Sequence, residues 1–317
     1  MIKKIIKLVF QPVRSLLGTE RIVHHFESGH RELLKELKMQ KHELDKVTSY
    51  IEFAALDTKR MKESDKYKNF HEIIPLLSPV DISGAKYRRL GRNYDGGYVM
   101  LDDFNSHHIE AAYSFGISDD VSWDEAIAEF KIDVFMYDHT IEFLSKEHSR
   151  FRFFKKGVTG DLHATNLETL STIIAQNGHQ KAQNLILKMD IEGSEWGVFQ
   201  ETPSDVINQF SQIVIELHGL DPSGSSENVA KILSVLKKIN QTHQSVHVHA
   251  NGCSEISWLG EQALPHLLEV TYVRRADYAG RFVPNERTFP TKLDRPTFPW
   301  LPDVALGTFT VRYDRET

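Results

Sequence analysis

Cysteine is nearly absent: Cys253 is the one cysteine in 317 residues, so neither an intrachain disulfide nor a cysteine-built zinc motif can form. A reducing cytoplasm is the expected setting. Long apolar runs are missing too, since no stretch approaches the ~20 apolar residues that span a bilayer. No small-residue cleavage site of the kind that ends a signal peptide follows the opening segment. Positive charge is not in excess, with 38 Lys and Arg against 44 Asp and Glu and a formal net charge of −6. That balance gives no general electrostatic basis for binding nucleic acid. The three-glycine dinucleotide signature is also lacking, which weighs against a nicotinamide or flavin enzyme. The 40% hydrophobic and 26% charged content fits a soluble chain that can bury a substantial core.

The chain is organised around NLILKMDIEGSEW, Asn184 to Trp196, where an apolar run ends in two carboxylates and a glycine. Leu185, Ile186 and Leu187 suit a strand buried on both faces, and Gly193 lets the backbone turn just beyond it. Asp190 and Glu192 stand two apart, on one face. Open α/β sheets take their ligands outside the carboxyl ends of the strands, so these acids are candidates for chemistry. The alternative is that they cap the following helix.

Strands and helices alternate around this stretch. AAYSFGISDDVSWDEAIAEF gives a strand running into Gly116 and a helix from about Ser122, and IDVFMYDHT gives a strand ending in Asp138. An acid about 20 residues beyond such a glycine can accept both hydroxyl protons of a ribose. FRFFKKGVTGD supplies a third strand, Leu167 to Ala175 a helix, and SQIVIELHGL a fifth strand with Glu216 and His218 on one face of its end. A helix over Glu227 to Ile239 leads to SVHVHANG, where His247, His249 and Asn251 alternate, and LLEVTYVRR is the seventh strand. This order predicts a doubly wound α/β sheet with a terminal hairpin. In RLGRNYDGGYVML the turn Asp95, Gly96, Gly97 predicts a further hairpin, and Arg92 beside it could instead hold an anionic group.

The ends of the chain have other patterns. Residues 1–20 form a basic amphipathic segment, with Lys3, Lys4, Lys7 and Arg14 among apolar residues, suited to a peripheral contact with an anionic membrane or to docking on the protein's own body. Over residues 21–68, Leu37, Leu44 and Ile51 form one heptad set and Leu33, Val47, Ala54 and Met61 the other, predicting a helical coiled coil and a homo-oligomer. The same pattern is compatible with one long helix folded back on the body. Residues 69–275 make up the main domain, and 276–317 are a Pro- and aromatic-rich tail expected to wrap it.

The segments LKMDIEGSEW, RNYDGGYVM, SFGISDDVSWD and the HVHANG to LLEVTY ending resemble the FkbM-type family of S-adenosylmethionine (SAM)-dependent methyltransferases, in a glycan-associated branch. The resemblance covers roughly residues 89–275. It implies the seven-stranded Rossmann-like methyltransferase sheet, with SAM lying across the ends of the first strands. It also implies that Gly116 approaches the amino acid part of the cofactor, that Asp138 holds its ribose hydroxyls and that Asp161 is near its adenine. The family's glycine-rich loop is reduced here to Gly116, and Arg92 with Asp95, Gly96 and Gly97 would compensate.

Methyl transfer from a sulfonium requires in-line attack, and a sugar hydroxyl near neutral pH needs a base or a metal to take up or acidify its proton. Asp190, Glu216, His218 and His249 are the catalytic candidates, with His218 or His249 as base. Alternatively Asp190, His218 and His249 would hold a divalent ion. For His247 an ordinary satisfied hydrogen bond is expected. The expected substrate is a bacterial surface glycan or its lipid-linked precursor, met at the inner face of the inner membrane. A small-molecule methyltransferase and a non-catalytic coiled-coil assembly subunit are the alternatives.

Overall fold

The computed structural model describes residues 20–55, 63–106, 108–161 and 167–310. The basic amphipathic segment expected over residues 1–20 lies, apart from Glu20, outside them. Two compact units divide the chain, Met1–Thr48 and Ser49–Thr317.

Within the heptad-patterned region the expected seam residue Met61 lies outside the described residues, and Glu20–Ala55 form one helix, α1. Its expected seam residues Leu33, Leu37, Leu44, Val47 and Ile51 are all exposed. None of the helices among the described residues is long and apolar enough to cross a membrane.

The second unit is built on a seven-stranded mixed sheet. Counted along the chain, its strands are β1 (Ala111–Phe115), β2 (Val134–Tyr137), β3 (Phe151–Phe154), β4 (Leu185–Met189), β5 (Phe210–His218), β6 (His243–Ala250) and β7 (Leu267–Arg274). Across the sheet the order is β6-β7-β5-β4-β1-β2-β3. From β5 to β3 every pairing is parallel, whereas β7 is antiparallel to both of its neighbours. The last two strands thus do pair antiparallel, but β7 is inserted between β5 and β6. A second hairpin, Ile256–Leu259 with Gln262–Pro265, lies between them in sequence and was not anticipated.

Alternation explains why the strands read as nearly continuous apolar runs. Tyr113, Phe115, Leu187, Met189 and Ile215 enter one core, while Ala112, Met136, Ile186 and Val214 enter another on the opposite face. The first core is closed by α2 (Asp65–Leu77), α4 (Leu170–Gln176), α5 (Glu195–Glu201) and α7 (Ser226–Thr242). The second is closed by α3 (Ser122–Ala128) and the antiparallel hairpin Tyr87–Leu90 with Tyr98–Leu101. The short α6 (Ser204–Ile207) precedes β5.

Helix starts follow their caps. Thr169 accepts the Thr172 amide and Ser225 the Asn228 amide, so α4 begins at Leu170 and α7 at Ser226. Leu167 and Glu168, expected to be helical, instead pair as a short strand with Gly157 and Val158. The tail packs on β6: Asp294 bonds His247 at 2.8 Å, and the Thr297 hydroxyl accepts the Gly252 amide at 2.8 Å.

Candidate active site

The parallel register lines up the strand ends. Phe115 is level with Tyr137 and Met189, and Met189 with Ile215, so the next residues Asp138, Gly116, Asp190 and Glu216 form one row across the sheet. The row continues through antiparallel pairs, Glu216 with Glu269 and Glu269 with His249. Five of these six residues were foreseen as site candidates. Glu269 was not; its signal was an acid inside an otherwise apolar strand segment.

His218, the last residue of β5, sits among carboxylates. Its Nε2 lies 3.6 Å from Glu192 Oε2, 3.8 Å from Glu216 Oε2 and 3.9 Å from Asp190 Oδ1, and its Nδ1 is 3.1 Å from Glu195 Oε1. Burial lowers the imidazole pKa, but the Glu195 bond and the charges of Glu195, Asp190 and Glu192 outweigh it and raise the net value. Asp190 accepts a hydrogen bond from the Tyr98 hydroxyl at 3.2 Å, so the hairpin on the second face reaches the same carboxylate. Glu192 is aimed by a backbone in the left-handed region, φ 58°, and its side chain is largely exposed.

Glu216 is almost fully buried, and burial, then the charges of Asp190 and Glu269, push its pKa well above the carboxylate range. Asn251 Nδ2 donates to Glu216 Oε1 at 2.8 Å, and Oε2 is the oxygen that faces His218.

His249 takes a different place from the one expected. Because β7 is inserted between β5 and β6, Glu269 stands between Glu216 and His249. Nδ1 of His249 bonds Glu269 at 3.0 Å and Nε2 bonds Asp303 at 2.8 Å. Two acceptors on one ring require both nitrogens to carry hydrogen, and the pKa is raised well above the ordinary value. Burial opposes that rise; the Glu269 charge and the Asp303 bond overcome it. Both ring nitrogens of His249 are thus engaged with carboxylates in this structure. The expected metal set was Asp190, His218 and His249, and His249 is not in the cluster the structure forms. Among the described residues, Asp190, Glu192 and His218 are the group whose ligand atoms lie within 4.8 Å of one another. His247 is buried and bonded to Asp294.

The expected cofactor residues fall on the strand-end row, in the Arg92 to Gly97 turn and, for Asp161, at the edge of the described residues. Gly116 has φ 78°, and a Cβ there would meet the Asp190 carbonyl oxygen at 1.6 Å, so only glycine permits the close approach of β1 to β4. Its carbonyl accepts from the buried Lys188 Nζ at 2.8 Å. Asp138 Oδ2 accepts the amides of Ile117 and Ser118, both at 2.9 Å, and Oδ1 accepts the Thr140 amide at 2.7 Å and hydroxyl at 2.6 Å. Burial would raise its pKa, but these four bonds lower it. All four lone-pair positions are engaged, so a ribose diol must displace one of these donors to be held here.

Arg92 bonds Asp120 at 3.2 Å and the Asp95 carbonyl at 2.5 Å, which docks the turn on the loop after β1. Gly96 sits at φ 87°, in the left-handed region that favours glycine, and at Gly97 a Cβ would meet the Arg92 carbonyl oxygen at 2.1 Å. Burial and the charges of Glu269 and Asp190 raise the pKa of Asp95. Asp161 is exposed and stands at the edge of the described residues.

Residues 104–243 match the family model of the methyltransferase FkbM domain. The match takes in β1 through β5, and with them Gly116, Asp138, Asp190, Glu216 and His218. No curated protein matches the chain. Among solved structures, a crystal structure of a fibrillarin/Nop5p complex is similar at 9% identity with a TM-score of 0.31, over 62% of this chain and 98% of that one. So low a score supports no further comparison.

Proposed function

We propose that this chain, whose residues 104–243 form a methyltransferase FkbM domain, transfers a methyl group from SAM to a hydroxyl of a bacterial surface polysaccharide sugar or of its lipid-linked precursor. The observation that carries the reading is the convergence of Asp190, Glu192 and Glu216 on His218 Nε2 at the carboxyl ends of β4 and β5. Beside it, the ends of β1 and β2 bring Gly116 and Asp138 level with Asp190.

When bound, SAM supplies a methyl group on a positive sulfur, open to in-line attack. The protein's residues hold and deprotonate the acceptor. His218 Nε2 takes the hydroxyl proton, and the carboxylates around it stabilise the imidazolium that forms. Asp190, fixed by the Tyr98 hydroxyl, accepts a hydrogen bond from the sugar and orients it. Asp138 would hold the ribose in place of the Thr140 hydroxyl. The glycan assignment rests on the resemblance of the motifs and on the basic segment at residues 1–20, which would bring the enzyme to a membrane-bound precursor. Self-association through the exposed heptad residues of α1 completes the proposal.

The test is calorimetric titration of the full chain with SAM and S-adenosylhomocysteine, with and without chelation, paired with turnover on lipid-linked glycans. Binding lost in Asp138→Ala, and turnover lowered about 1,000-fold to a residual rate in Asp190→Ala and His218→Ala, is the expected result. Near-normal turnover in both of the latter variants overturns the site, and absence of cofactor binding favours the assembly-subunit alternative.

A further inference from the structure

Glu195 was not among the residues that sequence reasoning selected. Its side chain is completely buried in the first turn of α5, and a buried carboxylate is costly unless it is bonded. Oε1 accepts the Ile191 amide at 2.8 Å and lies 3.1 Å from His218 Nδ1. The same ring nitrogen is 3.2 Å from the carbonyl oxygen of Glu216. A carboxylate oxygen and a carbonyl oxygen only accept, so Nδ1 carries hydrogen whether the ring is neutral or charged. Nε2 is therefore the one ring nitrogen that can exchange a proton, and it is the nitrogen facing Asp190, Glu192 and Glu216.

The next residue holds the other side of the same histidine, since the Trp196 indole N–H donates to the His218 carbonyl at 2.6 Å. Successive residues of α5 thus clamp both the ring and the backbone of a residue on β5. A capping role for Glu195 accounts for the Ile191 bond alone. It does not require a charged group, nor one whose Oε2 is buried without a hydrogen-bond partner.

From this geometry we infer that Glu195 is a positioning residue, which fixes His218 as the Nδ1–H tautomer and aims Nε2 at the acceptor hydroxyl. It acts through His218 and touches neither cofactor nor acceptor. The functional half of the inference rests on His218 being the base of the proposed reaction; the tautomer stands independently of it.

Two measurements on the full chain test it. Nitrogen-15 NMR of histidine-labelled protein, with His218 assigned from its loss in His218→Ala, should show a bare Nε2 and a protonated Nδ1 above the titration of that ring. A neutral ring protonated on Nε2 overturns the inference. In kinetics, Glu195→Gln keeps the side-chain volume and should lower kcat about 100-fold, with the affinity for SAM unchanged. In a His218→Ala background the same substitution should cost nothing further, because a residue acting only through His218 has nothing left to position. Equal losses in both backgrounds would mark Glu195 as merely structural and overturn the positioning role. Full turnover in His218→Ala would remove the base reading, and the NMR result would still decide the tautomer.

Discussion

At Gly116 the absence of a side chain is what lets two strand ends meet. The residue sits at φ 78° against the Asp190 carbonyl, so Gly116→Ala adds left-handed strain of about 1–2 kcal/mol to a direct backbone clash. We expect a loss of at least ~2 kcal/mol in urea denaturation, and an unchanged midpoint would refute the close approach. The sequence showed Gly116 as a single glycine after a strand, and the register explains it as the position level with Asp190. The acids of the row were legible for a related reason, since each follows or ends an apolar run: Asp138, Asp190 and Glu216. Glu195 was hidden because an acid in the first turn of a helix is ordinary in sequence. Only the contact with His218, on another strand, distinguishes it.

Among the elements, β6 is anchored at its start by a buried histidine. His243 Nε2 donates to the Phe210 carbonyl at 2.8 Å, which obliges Nδ1 to accept from the Thr242 hydroxyl at 2.8 Å. Burial pushes its pKa down from 6.5 to about 4, against the opposing Phe210 bond. The unfolded ring takes a proton first as pH falls, so the stability that this neutral ring confers is complete above the unfolded value. It is lost as pH drops through the folded one. Chemical denaturation should therefore show a loss of roughly 3 kcal/mol across that interval, and His243→Gln should flatten it. The helix α1 offers a different test. Its heptad residues Leu37 and Leu44 are exposed, so Leu37→Asp with Leu44→Asp should shift the protein to a smaller species in analytical ultracentrifugation. A parent chain that already sediments as a monomer would refute self-association.

For the molecule as a whole, the tail and the last strands determine which histidine is available. Asp303 comes from the tail and bonds His249 on β6, so Asp303→Ala leaves a buried imidazolium with one partner fewer. A cost of about 3 kcal/mol in thermal or urea unfolding is expected. A variant as stable as the parent would show that the pair contributes nothing. Residues 276–310 therefore belong to the folded body around the site, a role that Pro-rich composition alone expresses only as wrapping. The sequence by itself determined the α/β class, the seven strands of the sheet, the antiparallel pair at its end and most of the acidic row. Those features depend on period-two alternation and on the residue types that end each apolar run, which are local properties. The tertiary structure decided that His218 Nε2 faces Asp190, Glu192 and Glu216 while both nitrogens of His249 are taken up by Glu269 and Asp303, which tautomer His218 holds and that Asp138 is saturated by its own loops. Those outcomes depend on the insertion of β7 between β5 and β6 and on contacts between residues far apart in the chain, and no local pattern encodes either.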